Sequence, residues 1–396
     1  MRAFFYQYDN LIYTALAIFG AASIFLFSTL FGDVELIGLF AFNSVIIFLL
    51  MHCFTIGIDA FILSNLKSDL LPFNKQYFVP LLLFVLTVIS SQFVAPALSL
   101  FQPFDYIQNN YNVGINLQFT LIAFGALLGA YSKIMFAAIM LWTKNSHDAN
   151  KLYLLKALGL NLSFLCYVVT KSHYTLIFAP LFVEVFTFVT TLYFVAIHKR
   201  GIVKRKFQMS FLLSSLNVFG FDAIMKMDLL ILSIFAGPKV LSVYALYSAV
   251  VEGYVQIFAS FKYKSSLAII KRDNWQVNNI IKNGFVLSLS FIPALIIFLF
   301  VIGQGNQFMS EGLIYLLSLA VIASVPGIVL YNLFELRGCP EKTFTLSLIA
   351  LMINLCFGYF LYPVWSTNAV AMGTLMSYLF LSVFNFYFWK KYKCAV

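Results

Sequence analysis

Apolar runs long enough to cross a lipid bilayer succeed one another along almost the whole of this 396-residue chain. A hydrocarbon core of ~30 Å takes about twenty apolar residues in a helix, which satisfies every backbone N–H and C=O group where no water is present. Such runs lie at roughly 11–31, 36–64, 78–101, 115–142, 152–170, 176–198, 208–236, 241–262, 281–302, 312–335, 344–362 and 367–389. With 62% hydrophobic and 10% charged residues, the chain lies outside the range of soluble globules, and the segments between runs are too short for a soluble domain. The expectation is an all-α polytopic membrane protein of about twelve transmembrane helices.

The order of the runs contains a repeat. Phe31 to Ser44 (FGDVELIGLFAFNS) aligns without a gap with Phe235 to Ser248 (FAGPKVLSVYALYS), and the stretch beginning at Trp142 aligns with the one beginning at Glu335. In the second match Lys144 meets Arg337, Asp148 meets Glu341 and Asn161 meets Asn354. Six spans per half is an even number, so both halves enter the membrane from the same side and the repeat is parallel. The expected organisation is an N-terminal six-helix lobe over 1–198, a basic cytoplasmic linker over 199–207 (beginning KRGIVKRK) and a C-terminal six-helix lobe over 208–396.

The net charge of +10 matters through its placement. With the N-terminus in the cytoplasm, all but four of the 25 basic residues face inward; Lys171 and Lys239 face outward, and Lys133 and Lys226 fall within spans. By the positive-inside rule a multi-pass membrane protein with both termini cytoplasmic is expected. No nucleic-acid module accompanies the basic loops. The five cysteines are scattered without metal-ligand spacing and read as packing residues, and the first run lacks a small-residue cleavage pattern and reads as a permanent span. No metal and no cofactor is expected.

Ile37-Gly38-Leu39-Phe40-Ala41, followed by a second apolar stretch and Gly57-Ile58-Asp59-Ala60, resembles the opening of Wzx-type polysaccharide flippases of the multidrug/oligosaccharidyl-lipid/polysaccharide exporter superfamily. The stretch Ile353 to Tyr378 is similar to the penultimate helix pair of that family, with Asn354, Pro363, Ala369, Ala371, Gly373 and Tyr378 at the recurring positions, and Met227 to Leu232 matches within span seven. The resemblance implies a two-lobe flippase that moves an undecaprenyl-diphosphate-linked oligosaccharide, such as an O-antigen or other lipopolysaccharide repeat unit, by alternating access. It also implies a place in a bacterial cytoplasmic (inner) membrane, with membrane lipids, a polysaccharide polymerase and chain-length proteins as partners.

Ionisable groups deep in a bilayer are expensive unless they face a cavity or a partner. The deep set is His52, Lys133, Glu184, Asp222, Lys226, Asp228 and Glu252. A diphosphate needs cationic contacts, which makes Lys133 and Lys226 the candidate substrate-binding residues. No acid lies within one helical turn of Lys133; the alternative is that it snorkels toward the cytoplasm. Lys226 follows Asp222 by one turn and matches Glu252 in depth, so a structural pair competes with substrate contact. Glu184, Asp222 and Glu252 are the candidates for ion coupling, Asp228 reads as structural, Asp59 as a boundary residue, and His52 as a hydrogen-bonded packing histidine. The deep charges are not duplicated, since Lys133 aligns with Pro326. Gly125 and Gly129, spaced GxxxG, suggest close helix packing.

Two readings compete with the flippase. An ion-coupled multidrug or organic-cation antiporter of the same superfamily would share the fold, although the first span, Leu11 to Phe31, carries no acid. A membrane-embedded polysaccharide polymerase would need an acidic pair at one face, and the outer loop Phe101 to Gly114 has only Asp105. No nucleophile, metal or phosphate-loop pattern occurs, so the chain is expected not to be an enzyme.

Overall fold

The computed structural model describes residues 34–63, 71–73, 75–143, 147–198, 201–204, 209–249 and 251, a few positions between 281 and 292, and residues 311–336 and 340–391. The expected spans at 11–31 and 281–302, and the far half of 241–262, lie wholly or largely outside these residues. The chain is a helical, polytopic membrane protein. Among the described residues, six helices are long and apolar enough to span a bilayer, and two shorter apolar helices accompany them.

Two compact units emerge. The first comprises 1–216 with 233–242, and the second comprises 217–232 with 243–396. The first unit holds α1 (Val34–Thr55), α2 (Ile58–Leu63), β1 (Leu71–Phe73), a 3₁₀ turn (Lys75–Phe78), α3 (Val79–Leu98), α4 (Gln102–Tyr111), α5 (Ile115–Thr143), α6 (His147–Thr170), α7 (His173–Ile177), α8 (Ala179–His198) and β2 (Ile202–Lys204). Helix α9 (Met209–Phe235) belongs to the first unit at its two ends, 209–216 and 233–235, and to the second unit over 217–232. Helical turns at 238–249, α10 (Glu311–Leu336), α11 (Pro340–Trp365) and α12 (Thr367–Lys391) follow.

Helix α5 is the axis of the first unit and packs on α1, α2, α3, α6 and α8. Its GxxxG face lets neighbours approach: a Cβ on Gly125 would lie 3.0 Å from Ile47 Cδ1, and one on Gly129 would lie 2.9 Å from Glu184 Oε2. The opposite pattern marks α3, where Leu82, Ile89 and Phe93 stand 58%, 57% and 84% exposed, as suits a lipid-facing helix. The two copies of the repeated segment also touch. A Cβ on Gly38 would collide with the Pro238 carbonyl oxygen, so only glycine fits there.

Several expectations from the sequence change. The run 36–64 is not one span: Ile56 (φ 37°) and Gly57 (φ 71°) break it into α1 and α2. Left-handed backbone suits Gly57 and strains the β-branched Ile56, a cost of about 1–3 kcal/mol. The expected loop 101–114 contains α4, an amphipathic helix that buries Pro103, Phe104 and Ile107 and stops at left-handed Asn112. Pro363 lies in the last turn of α11 rather than in the connection, and α11 ends at left-handed Ser366, whose N–H reaches Tyr362 O at 2.8 Å. Cys53, Cys166 and Cys356 are free thiols on exposed helix surfaces rather than packing residues.

Within the second unit, α12 packs on both α10 and α11. Pro326 removes one backbone donor from α10. Beside it the Ser382 hydroxyl donates to Ala323 O and accepts the Gly327 N–H at 2.9 Å, so a hydroxyl from α12 stands between two groups of the α10 ladder. Ser382 is buried, and replacing it with alanine is expected to cost about 1–3 kcal/mol through unsatisfied backbone groups. Thermal unfolding in detergent reads this as a lower Tm for Ser382→Ala. Because both residues act on one turn, the loss in Pro326→Ala/Ser382→Ala should be smaller than the sum of the single losses.

Candidate functional site

Polar side chains meet within each unit. In the first, the break at Ile56-Gly57 starts α2 afresh and turns Asp59 toward α5. There Lys133 Nζ lies 3.0 Å from Asp59 Oδ2. A second pair crosses from α6 to α8, with Lys156 Nζ donating to Glu184 Oε1 at 2.6 Å. The Lys133 and Lys156 side chains are about a quarter exposed (26% and 27%), against 18% for Asp59 and 8% for Glu184, so in each pair the lysine is the more exposed partner. His52 Nδ1 stands 3.0 Å from Phe48 O, its ring lies against Phe48 with centroids 4.3 Å apart, and Lys133, Asp59 and Lys156 are its charged neighbours.

Glu184 uses only part of its capacity. Its Oε2 is buried, meets no hydrogen-bond donor among the described residues, and faces the gap that Gly129 leaves beside Met51. A carboxylate held by a single ammonium in an apolar setting depends heavily on that partner.

The second unit is arranged differently. Asp228, Tyr244, Asn354 and Thr374 are buried without measurable exposure. The Tyr244 hydroxyl donates to Asp228 Oδ2 at 2.7 Å, the Thr374 hydroxyl donates to the same oxygen, and Asn354 Nδ2 donates to Asp228 Oδ1 at 2.8 Å and to Ile224 O at 2.9 Å. Close helix approach assembles this set. A Cβ on Gly373 would stand 2.9 Å from Asn354 O, and one on Gly358 would stand 2.7 Å from Ile231 Cδ1. All three donors to Asp228 among the described residues are neutral. Asn354 Oδ1 is buried with no donor among the described residues, so the cluster offers carboxylate, amide, hydroxyl and phenol oxygens in one enclosed place.

Several sequence-based candidates are redistributed. Lys133, singled out because no acid lies within a turn of it, is paired with Asp59 from another helix. Asp59 is the partner of Lys133, and Glu184 is paired with Lys156. His52 packs and hydrogen-bonds as expected. Lys226 is half-buried on α9. The side chain of Asp222, and Glu252 altogether, lie outside the described residues, and with them the expected pairs to Lys226. Lys133 belongs to the first unit and Lys226 to the second. Tyr244, Thr374 and Lys156 were not singled out; the signal available for the first two was a polar residue placed in mid-span like Asp228 and Asn354.

No protein-family model matches the chain, and no curated protein matches it. Solved structures do. The MATE multidrug transporter DinF-BH, in a ligand complex, shares the fold at a TM-score of 0.65 and 13% identity, over 98% of this chain and 95% of that one. An outward-facing multidrug resistance MATE family transporter of the MOP superfamily matches at 0.54 and 12%, covering 98% and 95%. The Vibrio cholerae MATE transporter VcmN, as a point mutant, matches at 0.53 and 11%, covering 98% and 96%. At such identities the likeness is one of fold: the chain adopts the fold of MATE transporters over nearly its whole length.

Removing Lys156 leaves Glu184 buried without its cation. Lys156→Ala is expected to lower stability by less than the ~3–5 kcal/mol of a fully buried pair, because the ammonium is partly exposed. Glu184→Gln/Lys156→Met, which removes both charges, should unfold at a higher temperature than Lys156→Ala in the same detergent. A double variant no more stable than Lys156→Ala would remove the pair from this role.

Proposed function

We propose that the protein is an ion-coupled transporter of the multidrug type, working by alternating access in a cytoplasmic membrane with both termini inside. The observation that carries this reading is the buried Asp228 cluster within a MATE fold. A carboxylate met only by neutral donors in an apolar interior carries an uncompensated charge, and a proton or a small hard cation is the simplest neutralising partner. An acid that gains and loses such a partner is what coupling to an ion gradient requires. The sequence argued against an antiporter because the first span has no acid. Asp228 supplies one elsewhere.

The pairing of Lys133 also bears on the substrate. A cation committed to Asp59 at 3.0 Å is not a free contact for a diphosphate. A multidrug or organic-cation antiporter accepts planar, positively charged aromatic compounds in place of a diphosphate, and ethidium, a fluorescent organic cation, is a suitable first probe.

One observation favours a polysaccharide flippase as the second reading. Asp228, Asn354 and Gly373, on which the resemblance to Wzx-type flippases rests, converge at one site. On that reading the substrate is a lipid-diphosphate-linked oligosaccharide, its partners are a polymerase and chain-length proteins, and Lys133 must leave Asp59 to meet the diphosphate.

Proteoliposomes separate the two. Under an imposed proton or sodium gradient, wild type is expected to move ethidium, and Asp228→Asn, which keeps shape but removes the charge, to move it at least tenfold more slowly. An Asp228→Asn protein as active as wild type would remove Asp228 from coupling. Movement of a fluorescent lipid-diphosphate oligosaccharide, with none of ethidium, would replace the first reading by the second.

A further inference from the structure

The basic segment 199–206 reads in the sequence as a junction between two halves, yet its centre is a strand. β2 lies parallel on β1, with Leu71 opposite Ile202, Pro72 opposite Val203 and Phe73 opposite Lys204. The Leu71 N–H also donates to Gly201 O at 3.0 Å. β1 has a firm seat: Leu71 packs with Tyr77 and Tyr131 against Ile58 and Ile62 of α2 and Ile134 and Leu141 of α5. The Tyr131 hydroxyl closes this corner on Tyr77 O at 3.2 Å. Ile58 and Ile134 are the chain neighbours of Asp59 and Lys133, so the seat of the strand pair adjoins the first ion pair.

Two physical consequences follow. A two-stranded pair only three residues long is marginal, and parallel pairing is slightly weaker than antiparallel, so this contact can open at modest cost. It also sets a tether. Helix α8 ends at His198 and α9 begins at Met209. Eleven residue steps at ~3.4 Å span about 37 Å at most, but with Lys204 held on β1 five steps remain, about 17 Å. Closing the pair therefore halves the reach available to the start of α9, the helix that carries Asp228 in its later turns.

We propose that β1 and β2 form a strand clasp that shortens the tether to α9 and opens in each transport cycle. The proposal rests on the transport reading above. Its seat beside Asp59 and Lys133 gives the clasp a route to that ion pair: a shift of α2 against α5 that parts the pair also disturbs the surface on which Leu71 packs.

A disulfide tests it. Register partners in neighbouring strands lie about 4.8 Å apart, within the Cα separation that a disulfide spans. In a full-length protein whose five native cysteines are replaced by serine, Pro72→Cys/Val203→Cys is expected to form an intramolecular disulfide under mild oxidant. Oxidation should slow ethidium transport in proteoliposomes at least tenfold, dithiothreitol should restore it, and the single-cysteine proteins should be unaffected. No disulfide, or a linked protein that transports as fast as the reduced one, overturns the clasp. A wild type that moves neither ethidium nor lipid-linked oligosaccharide defeats the transport reading instead, and hydrogen exchange then reads the clasp by itself. The first turns of α9 should exchange at least threefold more slowly in the oxidised protein than in the reduced one, and equal exchange would overturn the tether.

Discussion

A carboxylate placed among apolar helices must be met by a cation, by hydrogen-bond donors or by a proton, since its hydration is lost and little else replaces it. Much of the described structure of both units is arranged around that constraint. In the first, α6 and α8 come close enough for Lys156 to reach Glu184, and the break at Ile56-Gly57 turns a new helix start so that Asp59 meets Lys133. In the second, three neutral side chains from three different helical segments converge on Asp228.

Convergence of this kind depends on the absence of side chains elsewhere. Gly129 leaves the space beside Glu184, Gly373 lets α12 approach Asn354, and Gly358 admits Ile231. Without water to drive apolar helices together, such close approach contributes dispersion contacts and brings polar groups within reach of one another. A methyl group at Gly373 would push α12 away from Asn354, and with it the Thr374 hydroxyl that Asp228 accepts. The glycines therefore govern the electrostatics of the site as well as its packing.

Much of the helical layout was legible in the sequence, because run length and polarity decide where a helix can cross lipid. The spans read at 78–101, 115–142, 208–236, 312–335 and 367–389 differ from α3, α5, α9, α10 and α12 by a few residues at most. The break at Gly57 was not legible, since apolar residues continue through it and only backbone conformation marks it. Neither was α4, whose polar residues hide an apolar face of three side chains. The site was legible residue by residue but not in its pairings. Lys133 looked isolated because its partner is 74 positions away, and spacing along one helix reveals only partners on that helix. Asp228 and Asn354 were noticed as a motif, but the hydrogen bonds joining them to Tyr244 and Thr374 depend on helix rotation, which apolar runs with little amphipathic contrast leave undetermined.

The two clusters differ in a way that suggests a division of labour. Lys133 with Asp59, and Lys156 with Glu184, are each neutral as a pair, so their energy depends mainly on whether the partners stay together, which helix movement decides. Asp228 meets only neutral donors among the described residues, so its energy depends on whether a proton or cation joins it, which the surroundings decide. In the proposed transport cycle, the first kind of site senses position and the second senses an ion gradient. Coupling requires that the two be linked through a body that moves. In the proposed cycle that body is helix α9, which carries Asp228 and follows β2 along the chain.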